Sequence, residues 1–358
     1  ATVEVSPNAL KTYVPDINQY AVKGTVNAGI KIQGNVNNPS INFMASSKNL
    51  QAMNMITAKD IELTTAMNGD LTKLEKINVK TSAKSITASG ITFSDVNASV
   101  NKSSDKIILD NISAKSGEGN INGNGSASIS GKENMNFNFN FNNLNLASLA
   151  SASGVDLKGN LTGNLKISGS NTNPSLNFNA NVPSLNAVGF ALNNLIADIS
   201  GNMQNIKLNR VRAEVEGAEV TANGNIQISP SLKINVALNG NKIQLDKILK
   251  DIPAMKGNLS GVANFKFNLT GNDKKISGTG SLTSSAIKAW GINLTDVNLP
   301  LSYSGNNFSS NNGTAKLYGG NAKNNLTFDI SKMGFSDNIE ASGINVNSLI
   351  QDVSGGLE

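Results

Sequence analysis

The sequence predicts an all-β protein with a few short helices, its strands antiparallel and grouped in about three helix-plus-strands repeats. Three observations predict it. Apolar and polar residues alternate over long stretches, turn residues recur at about 8 to 12-residue spacing, and one long phrase is written three times. Val22-Lys23-Gly24-Thr25-Val26, running on to Gln33-Gly34 and Asn38-Pro39-Ser40-Ile41-Asn42-Phe43, recurs as Leu157-Lys158-Gly159-Asn160-Leu161, running on to Ser168-Gly169 and Asn173-Pro174-Ser175-Leu176-Asn177-Phe178. A looser copy opens at Met255-Lys256-Gly257-Asn258-Leu259-Ser260-Gly261. A period of roughly 100 to 135 residues is long for a solenoid repeat. Each copy is therefore a supersecondary unit of several strands, and function belongs to the array. The units are expected at residues 1–143, 144–242 and 243–343, with 344–358 starting a further, truncated unit.

The elements follow in order. Ser6-Pro7 reads as a cap and first-turn proline, Leu10, Tyr13 and Val14 share one helix face, and Pro15 stops that helix. Met135-Asn136-Phe137-Asn138-Phe139-Asn140-Phe141 puts every apolar side chain on one strand face and Asn on the other. Leu176 to Val182, Ile226 to Ile228, Ile234 to Leu238 and Phe265 to Leu269 repeat the pattern. Asn68-Gly69, Ser89-Gly90, Asn223-Gly224, Asn239-Gly240, Ser304-Gly305 and Gly319-Gly320 read as hairpin turns. Gly117, Gly119, Gly123 and Gly125 also read as turn glycines, and Ile107 to Gly131 as a hairpin or two added to the first unit. Strands of about eight residues, about 26 Å, are expected. Leu245, Ile248, Leu249 and Ile252 form a helical stripe with an Asp246–Lys250 pair on it; Val346, Leu349, Ile350 and Val353 repeat the spacing, and Leu146, Leu149 and Ala150 give a weaker version. A helical signature this close to the end, and an Ala1 inside a patterned segment, lead to the expectation that the chain is a piece of a longer protein.

Composition narrows the function. Apolar residues are 39% and charged residues 15%, too polar for a thick core, yet too regularly apolar for disorder. There is no Cys and no His, which removes disulfides, thiolate nucleophiles and the commonest general base. A net charge of +5 is mild, and the Lys residues are scattered singly, so nucleic acid is not an expected partner. No apolar run is long enough to cross a bilayer as a helix. Walker, dinucleotide, nucleophile-elbow and EF-hand motifs are absent, and no catalytic residue, metal ligand or cofactor is assigned. Glu214, Glu216 and Glu219 read as a solvated strand face flanked by Arg210 and Arg212 rather than an acid–base pair. Trp290 reads as a packing residue in preference to a rim anchor.

What remains is the apolar stripe. Something must cover it: a facing sheet would make it a sandwich core, whereas a sheet curling on itself would leave a trough wide enough for acyl chains. Periodicity alone leaves both open. Four Tyr and one Trp are too few for the aromatic girdles of an outer-membrane barrel.

The helix-then-glycine signature, Ile243-Gln244-Leu245-Asp246-Lys247-Ile248-Leu249 leading to Lys256-Gly257-Asn258-Leu259-Ser260-Gly261, resembles that of the AsmA-like superfamily of TamB/AsmA-type envelope proteins. Ala315-Lys316-Leu317-Tyr318-Gly319-Gly320, the following Leu326-Thr327-Phe328-Asp329-Ile330 and Ile344-Asn345-Val346-Asn347-Ser348-Leu349 match as well. The resemblance implies a long, curled, taco-shaped antiparallel sheet with a hydrophobic groove, in the periplasm of a diderm bacterium, anchored to the inner membrane by an N-terminal helix not in this sequence. It implies carriage of phospholipid, or another acyl lipid, between inner and outer membrane, contacts with both membranes through other parts of the protein, and an outer-membrane protein as a possible partner. On that reading the groove is lined by Phe137, Phe139, Phe141, Leu176, Phe178, Ile226, Ile228, Val236, Leu238, Phe265, Phe267 and Leu269. The alternative is a structural or adhesive β-sandwich module with no ligand.

Overall fold

The computed structural model describes residues 2–5, 21–35, 38–53, 55–68, 76–103, 105–129, 134–150, 156–170, 172–187, 190–250, 255–332 and 334–355. The helix expected around Ser6 to Pro15 and the turn at Gly69 lie outside them. The chain divides into two compact units, Ala1–Phe190 and Ala191–Glu358. Both are all-β with short helices.

The first unit contains β1 (Thr2–Val5), β2 (Lys23–Gly24), β3 (Val26–Asn35), β4 (Asn38–Ala52), β5 (Ile56–Asn68), β6 (Lys76–Ala88), β7 (Ile91–Ser103), β8 (Lys106–Ser116), β9 (Gly119–Ser128), β10 (Asn134–Asn145), α1 (Leu146–Ala150), β11 (Leu157–Ser170) and β12 (Asn173–Ala187). From β3 to β12 each strand pairs antiparallel with the next; β1 adds to β3 and β2 to β4. The second unit contains β13 (Phe190–Asn202), β14 (Asn205–Val215), β15 (Ala218–Gln227), β16 (Lys233–Gln244), α2 (Leu245–Ile248), β17 (Leu259–Asn272), β18 (Ile276–Ala289), β19 (Ile292–Ser304), β20 (Asn307–Leu317), β21 (Gly320–Asp329), β22 (Gly334–Ser342) and α3 (Val346–Gly355). It is the same consecutive antiparallel meander. Apart from β1 and β2, the strands run from nine residues in β22 to fifteen in β4 and β12, longer than the sequence spacing implied.

Cross-strand partners share a face, so the registers show where the apolar side chains go. In the first unit one row reads Ile30, Phe43, Thr65, Val79, Val100, Leu109, Gly125, Phe137, Ile167, Leu176 across ten strands. In the second it reads Ile199, Leu208, Gly224, Val236, Leu269, Gly278, Tyr303, Phe308, Phe328, Phe335. The opposite face is polar, as in the row Asn124, Asn138, Lys166, Asn177. A slip of one residue in any strand would exchange the faces.

Glycine does something other than turn the chain. Asn223-Gly224 and Asn239-Gly240, expected as hairpin tips, lie inside β15 and β16, and Gly123 and Gly125 inside β9. A Cβ at Gly123 would strike the ring of Phe139, one at Gly125 the ring of Phe137, and one at Gly240 the ring of Phe265. The phenylalanines lie down over bare backbone on the neighbouring strand, where a side chain would hold them off. True tips are Ser89-Gly90, Glu216-Gly217, Trp290-Gly291 and Tyr318-Gly319, where both residues have positive φ, as type I′ turns require. Ile107 to Ser128 forms one added hairpin, β8–β9.

Bulges bend the strands. Register shifts occur between Phe141 and Leu144, Gly159 and Thr162, Gly240 and Ile243, Gly261 and Asn264, and Asn311 and Gly313. Asn143, Lys242 and Asn312 take positive φ there. The amide each bulge frees is satisfied by the next strand: Asn143 N–H donates to Thr162 Oγ1 (3.2 Å), Lys242 N–H to Asn264 Oδ1 (2.9 Å) and Asn312 N–H to Asn325 Oδ1 (3.0 Å). Among the most deeply buried residues are small ones, Ala83 (4% exposed), Ala263 (1%), Ser116 (1%) and Ser310 (0%). Small residues leave room for bent strands to close on themselves.

One helix is shorter than its sequence stripe. α2 ends at Ile248, Leu249 serves as its cap, and Ile252 lies outside the described residues. Lys250, expected to pair with Asp246, lies past the helix end and bonds Glu216 at 2.6 Å. Asn145 and Asn345 cap α1 and α3, accepting from Ala147 N–H (2.9 Å) and Ser348 N–H (3.2 Å).

Gly240→Ala is expected to cost about 1–3 kcal/mol by overpacking against Phe265. Thermal unfolding of Gly240→Ala, Phe265→Leu and the double variant checks this: the second change should recover most of the loss, because it removes the ring that the new methyl meets.

Candidate functional site

The apolar face places the sequence-predicted residues in two sets, one in each unit. In the first, Phe137, Phe139 and Phe141 on β10 pair with Ile167, Leu165 and Gly163 of β11, which in turn pair with Leu176, Phe178 and Ala180 of β12. Phe137 and Phe139 stack with centroids 6.4 Å apart, and Phe141 meets Phe178 edge-on at 6.4 Å across the bare Gly163. In the second, Ile226 on β15, Val236 and Leu238 on β16, and Phe265, Phe267 and Leu269 on β17 lie on one face. Val236 (7% exposed) and Phe267 (8%) are buried within that layer. Ile228 lies just beyond β15 and is 51% exposed.

The second unit folds this face over a cavity of about 420 Å³. Leu282, Leu299, Leu301, Phe308, Leu326 and Phe328 form its floor, and Leu245 and Leu249 close it from the α2 end. Leu282 pairs with Phe265 and Leu299, and Phe267 touches Phe308 with ring centroids 5.8 Å apart, so the cavity continues the predicted face. None of the twelve predicted residues lines it directly. Its own lining was readable in part, since Leu299-Pro300-Leu301 and Leu326-Thr327-Phe328 alternate. That α2 leucines and β22 residues Phe335 and Ile339 would meet it was not.

The degree of folding is read from one contact. Trp290 caps the β18–β19 hairpin, beside Ile292 at the start of β19, whereas Phe335 lies in the cross-strand row of Tyr303, at the other end of β19. Eleven residue steps in a straight strand span about 36 Å. The Trp290 and Phe335 rings are nonetheless 5.2 Å apart. Opposite strand ends of this unit therefore meet over the apolar face. Trp290 is 47% exposed and lines the cavity, so it sits at the rim and not in a core, contrary to the packing role read from sequence.

Hairpin tips hold the helices. Glu216 Oε1 accepts from Lys250 Nζ at 2.6 Å, and that bond holds its carboxyl below the usual range. Glu219 pairs with Arg212 (2.8 Å) and Glu214 accepts from Asn194 (3.1 Å), so this carboxylate set is tied up in local bonds. Tyr318 Oη donates to Asp352 Oδ2 (2.7 Å), which also accepts from Asn293 Nδ2 (2.6 Å), fixing α3. Burial, then the bond to Asp352, raises the Tyr318 hydroxyl; the bond from Tyr318, then that from Asn293, lowers the Asp352 carboxyl.

An antiparallel sheet that is apolar on one face, polar on the other and folded over a greasy furrow defines a groove-bearing all-β protein. The chain belongs to the TamB C-terminal domain family, whose model matches residues 110–289. That is a transport and assembly family of the bacterial cell envelope. No curated protein and no solved structure matches the chain. Among the described residues no helix is long and apolar enough to cross a membrane.

Docking of α3 is expected to weaken in acid. A carboxyl lowered by folding contributes stability above its unfolded pKa and loses it as pH falls through the lowered folded value. Amide protection factors in α3, taken relative to the intrinsic exchange rate at each pH, should therefore fall as pH drops below the ordinary carboxylate range, and Tyr318→Phe should flatten that dependence while lowering protection at neutral pH.

Proposed function

We propose that this chain is a bridge-like lipid-transfer segment, whose apolar sheet face carries phospholipid acyl chains across the periplasm between inner and outer membrane. The observation that carries the reading is the predominantly apolar row across ten strands of each unit, folded in the second unit over a cavity lined almost wholly by hydrocarbon. Family membership supports an envelope transport role. Burial of acyl chain from water is favourable by about 25 cal/mol per Å², so lipid enters without an energy source in the segment itself. Headgroups stay in water at the seam. The twelve residues from Phe137 to Leu269 named above, together with the cavity floor, form the lining. The helices punctuate the array: α1 precedes the six strands β11–β16 and α2 the six strands β17–β22, which supports the repeat units 1–143, 144–242 and 243–343.

Phospholipid is expected to copurify with the chain and to be recovered by solvent extraction and native mass spectrometry. Phe139→Asp, Phe178→Asp and Leu238→Asp together should lower the bound lipid by roughly tenfold or more, because an unpaired carboxylate in an acyl path is costly, while far-UV circular dichroism stays that of a β protein. A lipid-free wild-type chain, or a folded triple variant that binds lipid as well as wild type, would sink the proposal.

A further inference from the structure

The geometry points to a discrete seat for one acyl chain of roughly 14 carbons in the cavity under Trp290 and Phe335, a stopping place on the groove and not a stretch of uniform wall. This rests on the lipid reading above and goes further, to one site and one chain length. The first argument is size. A methylene fills about the ~30 Å³ that a water molecule occupies in the liquid, so 420 Å³ divided by 30 gives roughly 14 such groups. The second is polarity. The floor is hydrocarbon, whereas Asn324 and Asp337 lie on the β21–β22 side of the same face, with Asn324 Nδ2 donating to both Asp337 carboxylate oxygens at 3.2 Å. An amphiphile has the same layout, a long apolar body and one polar end.

The third argument is the cover. Trp290 holds φ +47° at the first tip position of a type I′ turn, where Asn is favoured and a bulky residue is strained. Its N–H is pinned by the Asn258 carbonyl at 2.7 Å. At the equivalent position of two other tips the strained residue makes a specific contact, Glu216 with Lys250 and Tyr318 with Asp352. Trp290 makes its contact with Phe335, yet the two residues stay 47% and 38% exposed. A strained aromatic pair left half in water over an apolar hollow gains most when something apolar fills the hollow beneath it.

Trp290 is the sole tryptophan, so its emission reports this site without a label. The delipidated full chain is titrated with brominated fatty acids of increasing length. Expected is saturable quenching at one equivalent of bromomyristate, with bromodecanoate weaker by roughly tenfold or more and little gain beyond bromopalmitate. Leu301→Arg should abolish the quenching. Should that variant not fold, Leu326→Phe, which fills part of the hollow with apolar bulk, should shift the preference to shorter chains. Unsaturable quenching, indifference to chain length, or a folded variant that quenches like wild type would overturn the seat. Copurified phospholipid without saturable quenching would overturn the seat and leave the conduit; saturable quenching without any copurified phospholipid would do the reverse.

Discussion

The structure depends on one constraint: every strand must present its apolar residues to the same side as its neighbour. Alternation makes that possible, and pairing of each strand with the next makes it cooperative. Ile30 and Leu176 lie 146 positions apart, yet each adjacent pair in the row between them is set by a local register. Nothing in these meanders needs a distant partner to know which face is which. The polar face is free to be Asn-rich because register is decided on the other side, even though Asn is a poor strand former.

That constraint would yield only a twisted ribbon without two further devices. Bulges bend the strands, and the side chains of Thr162, Asn264 and Asn325 meet the amides that bending frees. Glycines opposite phenylalanines let the rings lie flat, so the apolar layer stays thin where the sheet closes. Thickness and curvature oppose each other in any folded sheet, since bulky inward side chains collide first. Ala263 and Ser310 inside the fold, and Gly240 beneath Phe265, resolve that conflict in the same direction.

Much of the fold was legible in the sequence, because alternation is local. Met135 to Phe141 and Phe265 to Leu269 are strands facing as their pattern implies, and the stripes at Leu146, Leu245 and Val346 start α1, α2 and α3. The errors share a cause. Asn239-Gly240 is a good hairpin dipeptide, but its glycine answers to a ring on the next strand, at Phe265. Trp290 looked like packing because its partner, Phe335, is 45 positions away and becomes a neighbour only when strands fold over. The face was visible from spacing; the cavity on it was not, because hollowness is set by bend angle and bend angle by bulges with no residue signature beyond a scattered Asn or Asp.

Consecutive pairing also sets how such a sheet can change in size. Inserting one strand would reverse the direction of everything after it; inserting two restores it, and the β8–β9 pair is such an increment. The sheet within each unit is therefore extensible in a fixed step of about 10 Å, twice the strand spacing. Duplication of a hairpin widens such a sheet without redesigning the cross-section at all.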